Sequence, residues 1–512
     1  MGDLAMKRKL SLIMLIAIVM TSLLSACSQS ASQGGAAENN ATAAPKSDIS
    51  VVLTKIGNNL DPAEANSLDT STIMYHVYDT FIKFDNDFNI LPGVATAWSQ
   101  PDSTTIEFTI GEGYKFHNGD PMTIDDVVYS VERLAKVPKK ASFMSMIKSV
   151  EGSGNKVTVK LTEPNSGAIR NFGDVVIVSK KYLQEAGDKY ANAPIGTGPY
   201  TVAEYVPGSK VVLKAWADYP FEKASIQTIT FKAIEEASAK YIAVETGDAD
   251  FAGIAARDQD RARGNDKLTY FEGPSTFTGF VAMNTTAAPF DNVNIRRAMA
   301  YAYNNEGISA ITPGKTIIDS MVPKMFSTYY SSPNLPKYDL QKAKELLEKE
   351  GYGAGKPLQF TAWTYQGNDP ELEAFQAELK TIGVEMDIQN LEFGVFLEKM
   401  ANKEYQLLVG GWSDTTGNTL SSLESYWSGS FGQMNITFYT NPKVEELYAV
   451  AKKATSEAEL KEAAKEIQDI AAQDVPMIPT ATKMSYYAMN KNLEGVEILT
   501  SGLISFRGAK IK

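Results

Sequence analysis

One cysteine, two histidines and no Gly-x-Ser-x-Gly segment leave this 512-residue chain little with which to do catalysis. Nucleophilic hydrolases need a serine on a strained elbow or a Ser-His-Asp arrangement, and zinc sites need several Cys or His ligands. His76 and His117 are too few for a His-rich metal centre, and Cys27 has no second thiol for a disulfide or a Cys-x-x-Cys pair. The paired carboxylates Asp125 and Asp126 fall at a predicted helix start, where their charge is explained without acid–base work. The residues imply neither an enzyme nor a cofactor. What remains is covalent attachment at Cys27 and non-covalent recognition.

Cys27 follows Lys7-Arg8-Lys9 and an apolar run over 10–24 broken only by Ser11, Thr21 and Ser22, the pattern of an export signal. A spanning helix needs about 20 apolar residues, and no basic cluster follows to stop transfer. Leu24-Ser25-Ala26-Cys27 resembles the bacterial lipobox, which implies cleavage before Cys27 and a diacylglyceryl group on its thiol. Two acyl chains hold a protein to a membrane stably where one does not. Residues 28–47, rich in Ser, Ala, Gly, Asn and Gln, carry too little apolar surface to fold and read as a flexible leash. An extracytoplasmic body tethered to the cell membrane is expected.

That body has about 465 residues, enough for two or three lobes. Removing the leader, with its three basic residues and one acidic, takes the formal charge from −12 to about −14, which repels nucleic acid and anionic lipid. Alternation predicts strands over 49–56, 104–110, 156–161, 280–283, 358–363, 384–391 and 407–411. Helical spacing predicts helices over 74–84, 294–303 and 371–382; Thr123, Asp339 and Ser456 are placed to open three more. Strand–helix alternation from Gly279 onward indicates an α/β lobe.

Several segments, in order, resemble the family 5 extracellular solute-binding proteins of bacterial ABC importers, the peptide and nickel class. They include Leu60-Asp61-Pro62, Tyr78-Asp79-Thr80, Leu91-Pro92-Gly93-Val94-Ala95, Phe116-His117-Asn118-Gly119-Asp120-Pro121, Gly196-Thr197-Gly198-Pro199-Tyr200, Pro289-Phe290-Asp291 and Arg296-Arg297-Ala298. Most of these are architectural. His117 is expected to satisfy a local hydrogen bond, and Arg296 and Arg297 to pair with Asp291 or nearby carboxylates.

The resemblance implies a two-lobed α/β fold of the periplasmic-binding type (class II, cluster C) with an extra subdomain in the first lobe. Its expected layout is a signal at 1–26, a leash at 27–48, lobe I at 49–279 with the subdomain at about 65–200, lobe II at 280–485 and a return to lobe I at 486–512. Crossover strands are expected near 279–284 and 484–490. The resemblance places the ligand between lobes, beside Trp412-Ser413-Asp414-Thr415-Thr416, where an aspartate after a tryptophan holds a peptide's ammonium group. Asp414 is the candidate for that charge, a cation leaving water being best paired with a carboxylate. Trp412, Thr416, Trp427, Tyr365, Trp363 and Phe277 are candidate walls. The implied partners are a small peptide or peptide-like solute, a membrane permease and the lipid anchor, with the chain acting as a monomer. The Trp-Ser-x-x-Thr-Gly pattern is also similar to the glutathione-binding branch, so glutathione, a nickel chelate or another solute stays open. A secreted hydrolase and a structural surface lipoprotein are the rival classes.

Overall fold

The strand Asp48–Leu53 lies parallel between Thr228–Ala233 and Phe251–Ile254, at the heart of an eight-stranded mixed sheet. Ile49, Val51 and Leu53 face one apolar cluster and Val52 the other, so both faces are covered, as parallel pairing requires. This computed structural model describes residues 47–512 except 66, 138–145, 354, 366 and 368. Cys27, its signal and most of the leash lie outside the described residues.

A second, five-stranded sheet runs Val384–Asn390, Leu358–Thr364, Leu407–Ser413, Phe277–Met283, Met477–Pro479. Leu358–Thr364 is parallel to both its neighbours, and its pairing with Val384–Asn390 is joined through the helix Pro370–Lys380, the crossover that parallel strands need. A third sheet is four-stranded and antiparallel, in the order Ala95–Asp102, Thr105–Ile110, Lys156–Leu161, Ile147–Ser153. Ile106, Phe108, Val157 and Val159 bury one side of it with Val127 and Val131 of the helix Ile124–Ala135. The fold is mixed α/β.

The chain changes from the first sheet to the second between Pro274 and Phe277, and returns between Pro479 and Ala481; residues 484–490 lie within the long strand Ala481–Asn490 of the first sheet. The two crossings touch. Thr480 N donates to Gly279 O at 2.9 Å, and a side chain at Gly279 would come within 2.8 Å of Ala481 O.

Helix starts follow the sequence closely. Thr123 and Asp126 form a reciprocal capping box, and Asp339 and Ser456 cap Leu340–Lys349 and Glu457–Asp474. The helix expected over 74–84 is different: it runs Leu68–Val77, and Ile82–Phe84 is a strand. At that end Tyr78 is extended, Gly198 N donates to Val77 O at 2.9 Å, and the Arg507 guanidinium takes the carbonyls of Tyr75 and Tyr78 and bonds Asp79 Oδ1 at 2.6 Å.

Arg296 and Arg297 also depart from expectation, since neither pairs with a carboxylate. Arg296 Nε donates to Asp474 O at 2.9 Å and Nη1 to Phe290 O at 2.9 Å, while Arg297 Nε donates to Gln473 O at 2.7 Å. Both cations therefore serve the carbonyl end of the helix Glu457–Asp474, where its dipole is negative. Among the described residues no helix is long and apolar enough to cross a membrane, and no His/Cys/Asp/Glu cluster could hold a metal ion.

Candidate functional site

The strand Leu407–Ser413 pairs with Phe277–Met283 along its whole length and ends at a loop built around Asp414. Asp414 Oδ1 accepts the N–H groups of Thr416 at 2.7 Å and Gly417 at 2.8 Å, and the Thr416 hydroxyl at 2.9 Å. Gly417 sits at φ +69°, a turn that a glycine makes without strain. Asn418 then caps the short helix Thr419–Leu423 and donates from Nδ2 to Asn171 Oδ1 at 3.2 Å. Behind the loop, Arg170 Nη1 donates to Phe88 O at 2.8 Å and Thr416 O at 3.3 Å. The strand end and the helical turn Ala168–Asp174 thus hold one loop.

Beside this loop lies a cavity of about 710 Å³, of the size that small-molecule sites occupy. Trp412, Asp414 and Thr416 line it from the strand end, Glu424 and Trp427 from the segment that follows, and Tyr448 and Lys452 from the helix Pro442–Lys453. Glu163, Asn165 and Asn171 close it from the segment after the strand Lys156–Leu161. Trp427 stacks on Tyr448 with ring centres 4.7 Å apart, and Lys452 Nζ stands 5.0 Å above Trp427 and 2.6 Å from Glu163 Oε1. At the rim, Ser166 N and Oγ donate to the carbonyls of Lys452 at 2.9 Å and Ala451 at 2.8 Å.

Among the described residues two polar atoms of the wall have no partner: Trp412 Nε1 and Asp414 Oδ2, both buried. A buried donor and a buried carboxylate oxygen left unmatched cost free energy that a ligand would recover. Burial pushes the Asp414 carboxyl up against the pull of the loop N–H groups. Burial also raises Glu424, to about 7; the Tyr448 hydroxyl, donating at 3.3 Å, and Lys452 pull it down, while the charge of Asp414 pushes it up. A carboxyl poised near neutrality binds or releases a proton when its neighbourhood changes.

Of the residues singled out from the sequence, Trp412, Asp414, Thr416 and Trp427 come together on this cavity. Phe277 and Tyr365 line a different one, of about 200 Å³, next to the sheet crossings. There Lys483 Nζ lies 4.3 Å above the Phe277 ring, and Tyr365 packs against Phe393 and Phe396 at 5.0 Å each. Trp363 lines neither cavity; it is 7% exposed and packs near Tyr405, with ring centres 6.1 Å apart. His117 is architectural: Nδ1 accepts from Gly196 N at 3.2 Å and Nε2 donates to Gly198 O at 3.0 Å. A side chain at Gly196 would meet Val77 O at 2.1 Å, so close approach, not an unusual φ, requires glycine there.

Sequence reasoning missed Glu424, Tyr448, Lys452, Glu163 and Asn171. A signal for the first was present, because Glu424 is an isolated charge in the otherwise uncharged stretch between Leu420 and Trp427. The subdomain residues gave none.

Comparison with known proteins fits this geometry. A family model described as bacterial extracellular solute-binding proteins, family 5 Middle, matches residues 89–433. The glutathione-binding protein GsiB of Pectobacterium atrosepticum is 27% identical over 473 residues, covering 88% of this chain and 92% of that protein. The oligopeptide-binding protein AppA of Bacillus subtilis is 28% identical over 529 residues, covering 96% of each. Among solved structures, HbpA2 from Haemophilus parasuis superposes with a TM-score of 0.83 at 23% identity, covering 91% of this chain and all of that one. The relatives are binding proteins, not enzymes. A family-model match over two thirds of the sequence shows that the chain belongs to the family 5 bacterial extracellular solute-binding proteins.

Proposed function

We propose that the chain is the lipid-anchored receptor of an ABC importer, enclosing a small peptide in the 710 Å³ cavity between its second sheet and its antiparallel subdomain. One observation carries this reading: the cavity wall holds an unmatched donor, Trp412 Nε1, and an unmatched acceptor, Asp414 Oδ2, beside the stacked rings of Trp427 and Tyr448. Apolar walls with a few convergent polar groups are what a peptide end needs. Thr416 holds Asp414 in place. Phe277 and Tyr365 stand at the sheet crossings, where a hinge would act, and Trp363 supports the strand behind them. Cys27 supplies the anchor that keeps the receptor beside its permease.

Titration of the mature chain with a panel of di- to pentapeptides tests this by thermal shift and mass spectrometry of the recovered ligand. A bound peptide at a hundred times its Kd stabilises by about 2.7 kcal/mol and is recovered intact. Peptides that leave the melting temperature unmoved, or that are consumed, overturn the reading. Glutathione is the second reading, favoured by the 27% identity to a protein named for binding it.

A further inference from the structure

We propose that the chain carries a second small-molecule site, apart from the 710 Å³ cavity. A space of about 600 Å³ beside the end of the helix Leu68–Val77 takes a monocarboxylate bearing an aromatic ring. The carboxylate pairs with Lys83, and the ring packs among Tyr75, Tyr114, Tyr219 and Phe221. This space shares no lining residue with the 710 Å³ cavity, so the inference does not depend on what that cavity holds.

Stretches far apart in sequence build the wall. Tyr75, Asp79 and Lys83 come from the helix end and the strand Ile82–Phe84 after it, Tyr219 and Phe221 from the turn after the strand Lys210–Ala215, and Arg507 from the segment 497–508. The wall lies within 67–137, 146–353 and 369–512, all of them described.

Its aromatic side is built before a ligand arrives. Tyr114 and Phe221 stand with ring centres 4.7 Å apart, and Tyr219 and Phe221 5.5 Å apart. The hydroxyls of Tyr114 and Tyr219 donate to Gly93 O at 3.1 Å and Asp79 Oδ1 at 3.3 Å, which holds these rings in place and lowers the cost of ordering them on binding. Phe221 is 43% exposed. A large ring left in water on a preformed aromatic wall is surface that an apolar ligand group covers favourably.

Lys83 supplies the charge. It is half-buried, and among the described residues its ammonium has neither an ion pair nor a hydrogen bond. The other cation of the wall, Arg507, is spent on Asp79 and on the carbonyls of Tyr75 and Tyr78. Burial and the charge of Arg507 push the Lys83 pKa down, while Asp79 and Glu497 pull it up from beyond pairing distance. A ligand carboxylate gives the ammonium the partner it lacks and favours its ionised form. Three further carboxylates line the space. Asp85 is held by Asn89 and by Asp87 N, and Glu222 and Glu497 are exposed. Their charge opposes a ligand with more than one negative group, which favours a monocarboxylate over a dicarboxylate or a phosphate.

Calorimetric titration of the mature chain with hydrocinnamate, its amide, phenylpropylamine and phenylsuccinate tests the proposal. Hydrocinnamate is expected to bind one per chain with a Kd between micromolar and millimolar, at least about tenfold tighter than the amide, the amine or the dicarboxylate. Lys83→Met keeps the apolar stem and removes the charge; it should weaken hydrocinnamate about tenfold or more and abolish its advantage over the amide. Phe221→Ala, at an exposed ring, should weaken it several-fold with the melting temperature of the free chain unchanged. Asp414→Asn should leave hydrocinnamate binding as it is. The amide binding as tightly as the carboxylate, full affinity in Lys83→Met or in Phe221→Ala, a loss of affinity in Asp414→Asn, or no binding of hydrocinnamate overturns the site. None of these results bears on the peptide receptor, which the peptide titration decides.

Discussion

Asn418 and Asn171 stand 247 positions apart in the chain and meet side chain to side chain at 3.2 Å. Asn418 belongs to the loop after the second sheet's strand Leu407–Ser413, and Asn171 to the helical turn Ala168–Asp174 that follows the third sheet's strand Lys156–Leu161. This contact, the Lys452–Glu163 pair and the two bonds from Ser166 form one seam along the cavity. The seam borders the cavity on the side of Glu163, Asn165 and Asn171.

Asp414 has two duties that substitution separates. Asparagine keeps an Oδ1 acceptor for the Thr416 and Gly417 N–H groups but removes the charge, whereas alanine removes both. Asp414→Asn should weaken a cationic peptide about tenfold or more with little change in melting temperature. Asp414→Ala should lose the same affinity and also about 1–3 kcal/mol of stability. Calorimetry and urea denaturation read the two effects, and full affinity in Asp414→Asn would take the residue out of the site.

Ser166→Ala removes the hydroxyl bond to Ala451 O but keeps the backbone bond to Lys452 O. A net loss of about 0.5–1.5 kcal/mol is expected in the closed form, that is, a two- to tenfold faster ligand release. Stopped-flow displacement of a fluorescent peptide checks this. An unchanged release rate would mean that the seam does not open during exchange.

Arg507 is tied to Asp79 at 2.6 Å, with the two side chains 15% and 4% exposed, and to the end of the helix Leu68–Val77. Breaking a buried pair by removing one partner strands the other charge. Arg507→Ala is expected to cost about 3–5 kcal/mol in urea denaturation. A loss under 1 kcal/mol would show that water reaches Asp79 freely.

His76 is buried with Nδ1–H donating to Thr72 O at 2.8 Å and Nε2 accepting from Phe506 N at 2.9 Å, which determines its neutral tautomer. Burial, with the charge of Arg507, drops its pKa from 6.5 to about 3. The folded state thus binds fewer protons than the unfolded state below pH 6.5. Stability is complete above 6.5 and falls toward pH 3 by up to about 1.4 kcal/mol per pH unit. His117, lowered to about 4 by burial, acts in the same direction. Denaturation midpoints between pH 7.5 and 4.5 should show this slope, and His76→Gln should flatten it; an equal slope in the variant would assign the effect elsewhere.

Cys27→Ser should release the protein from the membrane fraction or leave its signal uncut, with ligand affinity unchanged. Fractionation and calorimetry on the same preparation decide it.

Residue spacing alone determined much here. The Thr123–Asp126 capping box, the caps at Asp339 and Ser456 and the alternation in Thr105–Ile110 and Lys156–Leu161 are local, and local chemistry suffices for them. The family resemblance, not spacing, pointed to Trp412, Asp414, Thr416 and Trp427, which sit within sixteen positions of one another and line one cavity. Only the tertiary structure shows what meets the end of the helix before Tyr78, since Gly198 and Arg507 come from distant parts of the chain. It likewise separated Phe277 and Tyr365 from the main cavity, placed Trp363 in the core, and set Glu424 beside Lys452 and Glu163. Burial and long-range charge pairing depend on which surfaces meet, and no local pattern of residue types carries that.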